Sequence, residues 1–362
     1  MNEQDVDRLV SEIRKIRNDE EEEMSLPDKP KEKNKKLALY KVITGDELLT
    51  NKDEDIEPII EGVMYPQDYI LITARQKRGK TILAQQLACA LSSGTPFLGT
   101  FEVTKPVKVW YLATEGKINS MKERFIRMSR GVPIIPRNIL FIPTFFRFNT
   151  PEGEKALRQL QADYMDDLPD VVIVDALFRA VKGTLKDDDV VNDFHHIITE
   201  FANISDAAIV VVHHLKKPGK DKNGKTFAQT DDDVFGSAFL TAAADHVFRM
   251  ERCNKEHNHY IMSCESQRSG DIVDKTRLKL YEPDPLYFDV VSMHYEEMDR
   301  MREILAKHPD GLTNKELMDK AKIRKGTYLS AKKDLLKNSE IYYNDDYPKK
   351  ILLGTKKSPN IN

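Results

Sequence analysis

The sequence predicts an α/β fold: a mostly parallel sheet with an antiparallel extension, followed by a small C-terminal unit of three helices and a hairpin. Three observations carry this. Short apolar runs (Ile70–Ile72, Val107–Leu112, Val171–Val174, Ala208–Val212) alternate with stretches of helical spacing, the pattern of strands buried on both faces. From His246 to Val291, four strand-like runs are separated by hairpin turns (His246–Met250, Tyr260–Cys264, Arg277–Leu280, Tyr287–Val291). After Met298 the pattern becomes helical and closes with two short strand runs around Asn344-Asp345-Asp346.

The totals set bounds. A chain of 362 residues is long enough for two or more domains. Residues 1–37 read as a charged N-terminal segment, 38–293 as the main domain, 296–356 as the C-terminal domain and 357–362 as a tail. A net charge of −3 does not suggest a general polyanion binder, so any nucleic-acid site must be a local patch. No apolar run approaches ~18 residues, so no membrane span is expected. The charged N-terminus is not a signal peptide. Three separate cysteines, Cys89, Cys253 and Cys264, fit a reducing cytoplasm. Cys253, His257 and His259 lie close together but lack a second ligand cluster, so a solvated turn is the better reading.

In the N-terminal segment Val6, Leu9, Val10, Ile13 and Ile16 recur at helical spacing, followed by the acidic run Asp19–Glu23 and a Lys/Pro-rich linker. The helix has no partner in its own segment; docking on another surface and a frayed tail fit it equally. Ile59, Ile60, Val63 and Met64 are expected to pack beneath the first strand.

The stretch Tyr69–Ala90 reads as strand, basic glycine-containing turn and helix start. That geometry cradles phosphate, because backbone N–H groups and the helix dipole face the anion. Gly79, Lys80 and Thr81 match the end of GxxxxGK[ST], with Ala74 in place of the first glycine. Lys80 would reach the outer phosphates and Thr81 would hold Mg²⁺. The loop from Lys77 through Arg78 and Gly79 to Ile82 is the expected nucleotide cradle.

Glu115 follows the second strand, on the edge where open α/β sheets bind ligands. It fits a residue that orients or deprotonates water, with a helix N-cap or first-turn acid before Ser120–Arg130 as the lesser alternative. Val171–Val174 ends in Asp175, the usual place for a carboxylate that holds Mg²⁺. Ala208–Val212 ends in His213-His214, where a polar tip can touch a γ-phosphate or simply satisfy core hydrogen bonds. Lys216, Lys217, Lys220, Lys222 and Lys225 suit a phosphate backbone or a solvated charge run.

In the C-terminal unit Thr313 caps a helix with Glu316 as its capping-box partner. Three helices and a hairpin wing make a winged helix-turn-helix. Its third helix presents Lys325, Lys332 and Lys333 to duplex DNA, or the module docks on protein.

From about Ile59 to Val291 the sequence resembles the RecA-type P-loop ATPase core, within it the DnaB/RepA-like group of hexameric replicative helicases. The matching pieces are Lys77–Thr81, Tyr111–Gly116, Val171–Asp175, His213-His214, Phe235-Gly236-Ser237 with Ala244-Asp245, and Ser266–Gly270. The resemblance implies ATP as nucleotide, Glu115 as catalytic base, Asp175 as the acid that positions Mg²⁺, His214 as sensor and Arg268 as an arginine finger for a neighbouring subunit. It implies that loops Phe178–Asp189 and Leu215–Asp233 touch single-stranded DNA in a central channel, in a hexamer that meets a primase or other replication partner. Ser266 stands where the group has lysine; Arg249 or Arg252 would have to supply that charge. The expected function is a DNA-stimulated ATPase and replicative helicase of a mobile element. A DNA-loading or remodelling ATPase, and a nucleotide-switched DNA-binding regulator, are the alternatives.

Overall fold

The computed structural model describes residues 44–46, 56–143, 146–215, 239–253, 258–267, 275–344 and 349–354, except the side chains of 265–267. The chain divides into two units, Met1–Glu54 and Asp55–Asn362. The sheet and the C-terminal helices belong to the second. Several expectations lie outside the described residues. These are the N-terminal helix with its acidic run and linker, Lys216 to Lys225, Phe235-Gly236-Ser237, His257, Arg268, Asp345-Asp346 and the tail.

The strands of the main sheet are β1 (Tyr69–Ala74), β2 (Val109–Ala113), β3 (Ile139–Pro143), β4 (Val171–Asp175), β5 (Ala208–His214), β6 (His246–Arg252), β7 (His259–Gln267), β8 (Thr276–Tyr281) and β9 (Tyr287–Val291). Their order is β3-β2-β4-β5-β1-β6-β7-β8-β9. Neighbours from β3 to β6 are parallel, and β6 to β9 pair antiparallel. The parallel strands β1, β2 and β4 are buried along their whole length, which is why they read as unbroken apolar runs rather than alternating ones.

Helices cover both faces. On one, α1 (Lys80–Ser93) and α2 (Ile118–Met128) pack with Ile59, Ile60, Val63 and Met64 over Ile70, Ile72, Tyr111, Ile173 and Val210. On the other, α3 (Pro151–Asp163), α4 (Leu177–Ala180), α5 (Asp188–Asn203) and α6 (Phe239–Ala243) enclose Tyr69, Leu71, Trp110, Val172 and Val211. Alternation along each strand sends successive side chains into these two cores.

Two features differ from the sequence expectations, and the end of β5 agrees with them. Strand β3 was not anticipated: Ile139–Pro143 is a short edge strand whose Ile-Leu-Phe-Ile run is apolar but ends in proline, and only Ile139 is fully buried. The stretch Phe178–Asp189, expected to be a polar loop, begins within α4 and buries Ala180, Val181 and Leu185. Strand β5 runs on through both histidines, so His213 and His214 are the last rungs of the ladder, at the strand tip where the sequence places them.

The C-terminal residues form α7 (Tyr295–Ala306), α8 (Asn314–Ala321), α9 (Lys325–Lys337) and the antiparallel pair β10 (Ile341–Tyr343) and β11 (Ile351–Leu353). They have a core of their own, built from Met298, Met301, Leu305, Leu317, Tyr328, Leu335 and Ile351. The Thr313 hydroxyl accepts from Glu316 N at 3.3 Å and Glu316 Oε2 accepts from Thr313 N at 2.8 Å, the expected capping box. These helices are tied to β8, next to the edge of the sheet, by Arg277 Nη2 to Glu296 at 3.2 Å and Lys279 Nζ to the Tyr295 hydroxyl at 3.0 Å. No helix among the described residues is long and apolar enough to cross a membrane.

Candidate functional site

Strand β1 delivers the chain to the C-terminal edge of the sheet, where residues 75–79 turn back into α1. Ala74 is the last rung of β1, paired with His214 on one side and Met250 on the other. Its backbone is extended, so this position does not need glycine, and the departure from the motif costs nothing locally. Gly79 is different. Its φ is +82°, and a Cβ there would sit 2.7 Å from Phe288 Cζ, so both conformation and space demand glycine.

Lys80 is the first residue of α1 and is buried. Its Nζ donates to Ala74 O and Arg75 O, both at 2.9 Å, so the amine spans the mouth of the loop. Burial brings its pKa down to about 8 against the opposing pull of Asp175 and Glu115. One residue on, the Thr81 hydroxyl donates to Asp175 Oδ1 at 3.2 Å. Ile82 packs on the core behind the loop, while Lys77 is exposed and Arg78 half-buried at its rim.

Asp175 ends β4 and is almost fully buried. Its second oxygen accepts from the Tyr111 hydroxyl at 2.6 Å. Burial raises its carboxyl above the usual range, while the bonds from Tyr111 and Thr81 pull it back. The Tyr111 phenol is pushed well up by burial and the adjacent carboxylate. Thr81 and Asp175 thus present two hard oxygens side by side, a donor set that fits Mg²⁺ completed by phosphate oxygens and water.

Thr114 staples the end of β2 to β4: its N–H donates to Asp175 O at 2.9 Å and its hydroxyl to Ala176 O at 2.6 Å. That holds the next residue, Glu115, exposed above the edge. Helix α2 begins only at Ile118, has Lys117 as its cap and carries no acid in its first turn. Glu115 therefore does not serve as a helix-start acid. His214, at the tip of β5, is half-exposed; burial first and Lys80 second lower its pKa, and Glu115 opposes them. Lys80, Thr81, Asp175, Glu115 and His214 come from four adjacent strands and meet at one edge. His213 points to the opposite face and is fully buried.

Not every predicted residue joins them. Arg249 is buried and its guanidinium is paired with Glu251 on the same strand. On α9, Lys325 and Lys333 are exposed, but Lys332 is folded back, its Nζ 3.0 Å from Asn314 Oδ1 and over the rings of Tyr328 and Tyr343. Tyr111 was missed as a site residue. Its one sequence signal is a position two residues before the end of a buried strand, which points its side chain along the same face as the strand's tip.

A family model described as an AAA domain, AAA_25, matches residues 34–220, more than half of the chain. The chain belongs to the AAA_25 family. This agrees with the ATPase-core resemblance carried by the sequence motifs, and the match spans Lys80, Glu115, Asp175 and His214. Among solved structures, the AAA_25 chain is similar to a DnaB-like replicative helicase studied with primase, at 15% identity and TM-score 0.46 over 63% of this chain; it spans 58% of that helicase's length. A KaiC-like protein of Pyrococcus horikoshii matches at 12% identity and TM-score 0.44, over 65% and 94% of the two chains. The RadB recombinase matches at 16% identity and TM-score 0.41, over 63% of this chain and 92% of that one. A search among curated proteins found no match.

Proposed function

We propose that the chain is a DNA-stimulated ATPase that works as a homo-oligomeric ring, hexameric, and couples ATP hydrolysis to movement along single-stranded DNA as a replicative helicase. The observation that carries this reading is the meeting of Lys80, Thr81, Asp175, Glu115 and His214 at the carboxyl edge of parallel strands, the place where open α/β sheets bind ligands.

In this reading the N–H groups at the start of α1 and the Lys80 ammonium receive the β- and γ-phosphates, and Lys80 exchanges its two carbonyl partners for phosphate oxygens. Thr81 and Asp175 hold Mg²⁺, which when bound neutralises phosphate charge. Glu115 accepts a hydrogen bond from the attacking water and aims it at the γ-phosphorus. His214 senses the γ-phosphate from the tip of β5 and passes its loss to the segment that follows. Arg268 completes the site of the adjacent subunit, and the lysines from Lys216 to Lys225 meet the DNA backbone. Residues 296–356 serve as a winged helix that binds duplex DNA through Lys325 and Lys333. A primase or another replication protein is the partner class this implies.

The test is ATP hydrolysis with and without single-stranded DNA, on protein sized by light scattering. Strong stimulation with a hexameric mass supports the reading. Stimulated turnover without strand displacement on forked DNA points to a loader or remodeller, and negligible turnover with a footprint on one duplex points to a nucleotide-switched regulator. Arg268→Ala is expected to abolish turnover and spare nucleotide binding.

A further inference from the structure

We propose that Tyr111 is a positioning residue that sets the orientation of the Asp175 carboxylate and thereby the affinity of the site for Mg²⁺. The proposal rests on the ATPase reading above. Each oxygen of Asp175 has its own hydroxyl partner: Thr81 on Oδ1 at 3.2 Å and Tyr111 on Oδ2 at 2.6 Å. Thr81 and Oδ1 form the side that faces the nucleotide loop. Tyr111 therefore occupies the opposite oxygen and decides which one is left to face the loop.

Strand geometry explains how it gets there. In the β2–β4 ladder Tyr111 lies beside Ile173 and Ala113 beside Asp175. Asp175 is thus two rungs ahead, ~6.6 Å along the strand and on the same face. A phenol laid along the sheet spans that step, and no shorter hydroxyl-bearing side chain does. The ring cannot swing away. It is fully buried and packs against Phe141, ring centroids 5.3 Å apart at 45°. Phe141 is held in turn by Phe125 of α2 at 4.6 Å, edge to face. The aromatic stack is a rigid backing for one hydrogen bond, the arrangement by which residues behind a ligand fix its direction.

Without the hydroxyl, Asp175 Oδ2 is left buried with no donor and the carboxylate is free to rotate away from Thr81. Residues in this supporting position typically change metal affinity by about 10–100-fold. The experiment is Tyr111→Phe, read by a Mg²⁺ titration of fluorescent ATP-analogue binding under non-hydrolysing conditions. The expected result is a rise of about tenfold or more in the Mg²⁺ concentration at half-effect, with metal-free nucleotide affinity unchanged and turnover partly rescued by excess Mg²⁺. In an Asp175→Asn background the same substitution should add little, because the two act through one contact. Phe141→Leu, which loosens the ring and keeps the hydroxyl, should give a smaller rise and serves if Tyr111→Phe does not fold. A wild-type half-point in a folded Tyr111→Phe protein, or in Phe141→Leu if it must stand in, overturns the proposal. Wild-type protein that binds nucleotide without any Mg²⁺ dependence overturns the ATPase reading and this proposal together.

Discussion

The side-chain amide of Gln86 holds both backbone groups of Phe288: Nε2 donates to Phe288 O and Oε1 accepts from Phe288 N, each at 2.7 Å. The two residues are 202 positions apart in sequence. The clamp fastens α1, which closes the β1–α1 loop, to β9 in the antiparallel extension, and it does so in a buried setting where water cannot substitute. Gln86→Leu keeps the volume and removes both bonds. It should lower stability by about 2–4 kcal/mol, since two buried backbone groups lose their partners. The midpoint of urea unfolding measures it, and a shift under ~1 kcal/mol would mean that the clamp is not maintained in solution.

Phe288 also closes the space above Gly79. Gly79→Ala adds a methyl 2.7 Å from Phe288 Cζ in a left-handed backbone, each of which is unfavourable. The expected outcome is a loss of about 1–3 kcal/mol and at least roughly tenfold weaker nucleotide binding. Phe288→Leu in the same protein should recover part of the stability but not the binding, because the strained φ remains. Calorimetry of the single and double variants with an ATP analogue separates the two effects.

Glu115→Gln keeps size and hydrogen-bonding capacity but removes the carboxylate that the proposed function uses as base. Turnover should fall by about 10²–10⁴-fold while nucleotide binding stays within about threefold. Lys80→Ala, in contrast, should weaken binding and abolish turnover together. Steady-state rates alongside equilibrium binding distinguish them, and full activity in Glu115→Gln would remove Glu115 from the catalytic role.

Acid should loosen the C-terminal helices. Arg302 forks onto Glu340, Nε to Oε2 at 2.5 Å and Nη2 to Oε1 at 3.0 Å, and these bonds hold the Glu340 carboxyl below its usual range. Because the folded value lies below the unfolded one, the contribution is complete above about pH 4.3 and is lost as pH falls through the folded value. Its size at this half-exposed pair is about 1 kcal/mol or less. The difference in melting temperature between wild type and Glu340→Gln should be largest near neutrality and shrink toward zero below about pH 4.

Two neighbouring lysines on α9 should behave differently. Lys333 is exposed, so if the C-terminal unit binds duplex DNA as proposed, Lys333→Ala should weaken that binding at every sequence and reduce the salt slope by about one. Lys332 is engaged with Asn314, Tyr328 and Tyr343, so Lys332→Ala should cost about 0.5–1 kcal/mol of stability and change DNA affinity less. Filter binding at several salt concentrations with parallel unfolding curves decides it. Equal losses of affinity would mean that the Lys332 side chain leaves its aromatic seat when DNA binds.

Much of this was legible in the chain. Apolar runs ending in Ala74, Asp175 and the two histidines announced the strands and placed polar residues at the tips of two of them, where a buried parallel strand most readily accommodates such residues. The capping box at Thr313 was readable because it is local, contained within a single helical turn. Strand β3 was not readable, although residues 139–142 are an apolar run, because four apolar residues fit a buried strand and a buried helix segment alike. Nor was the pairing of Arg249 with Glu251, or the seat of Lys332, since a charge looks the same in sequence whether it is solvated or committed.

The sequence by itself determined most of the kinds of element, their order, and the residue types at the turn between β1 and α1. These depend on backbone period and on neighbours a few positions away. Only the tertiary structure decided which strand lies beside which, and so that Tyr111 reaches Asp175, that Thr114 fastens β2 to β4, and that Gln86 meets Phe288. It also resolved Ala74, where an extended strand end makes a glycine unnecessary, and Glu115, which stands clear of the helix it could have capped. The reason is physical. A contact between residues tens or hundreds of positions apart is selected by the packing of the whole sheet, and it leaves no periodic trace in either segment.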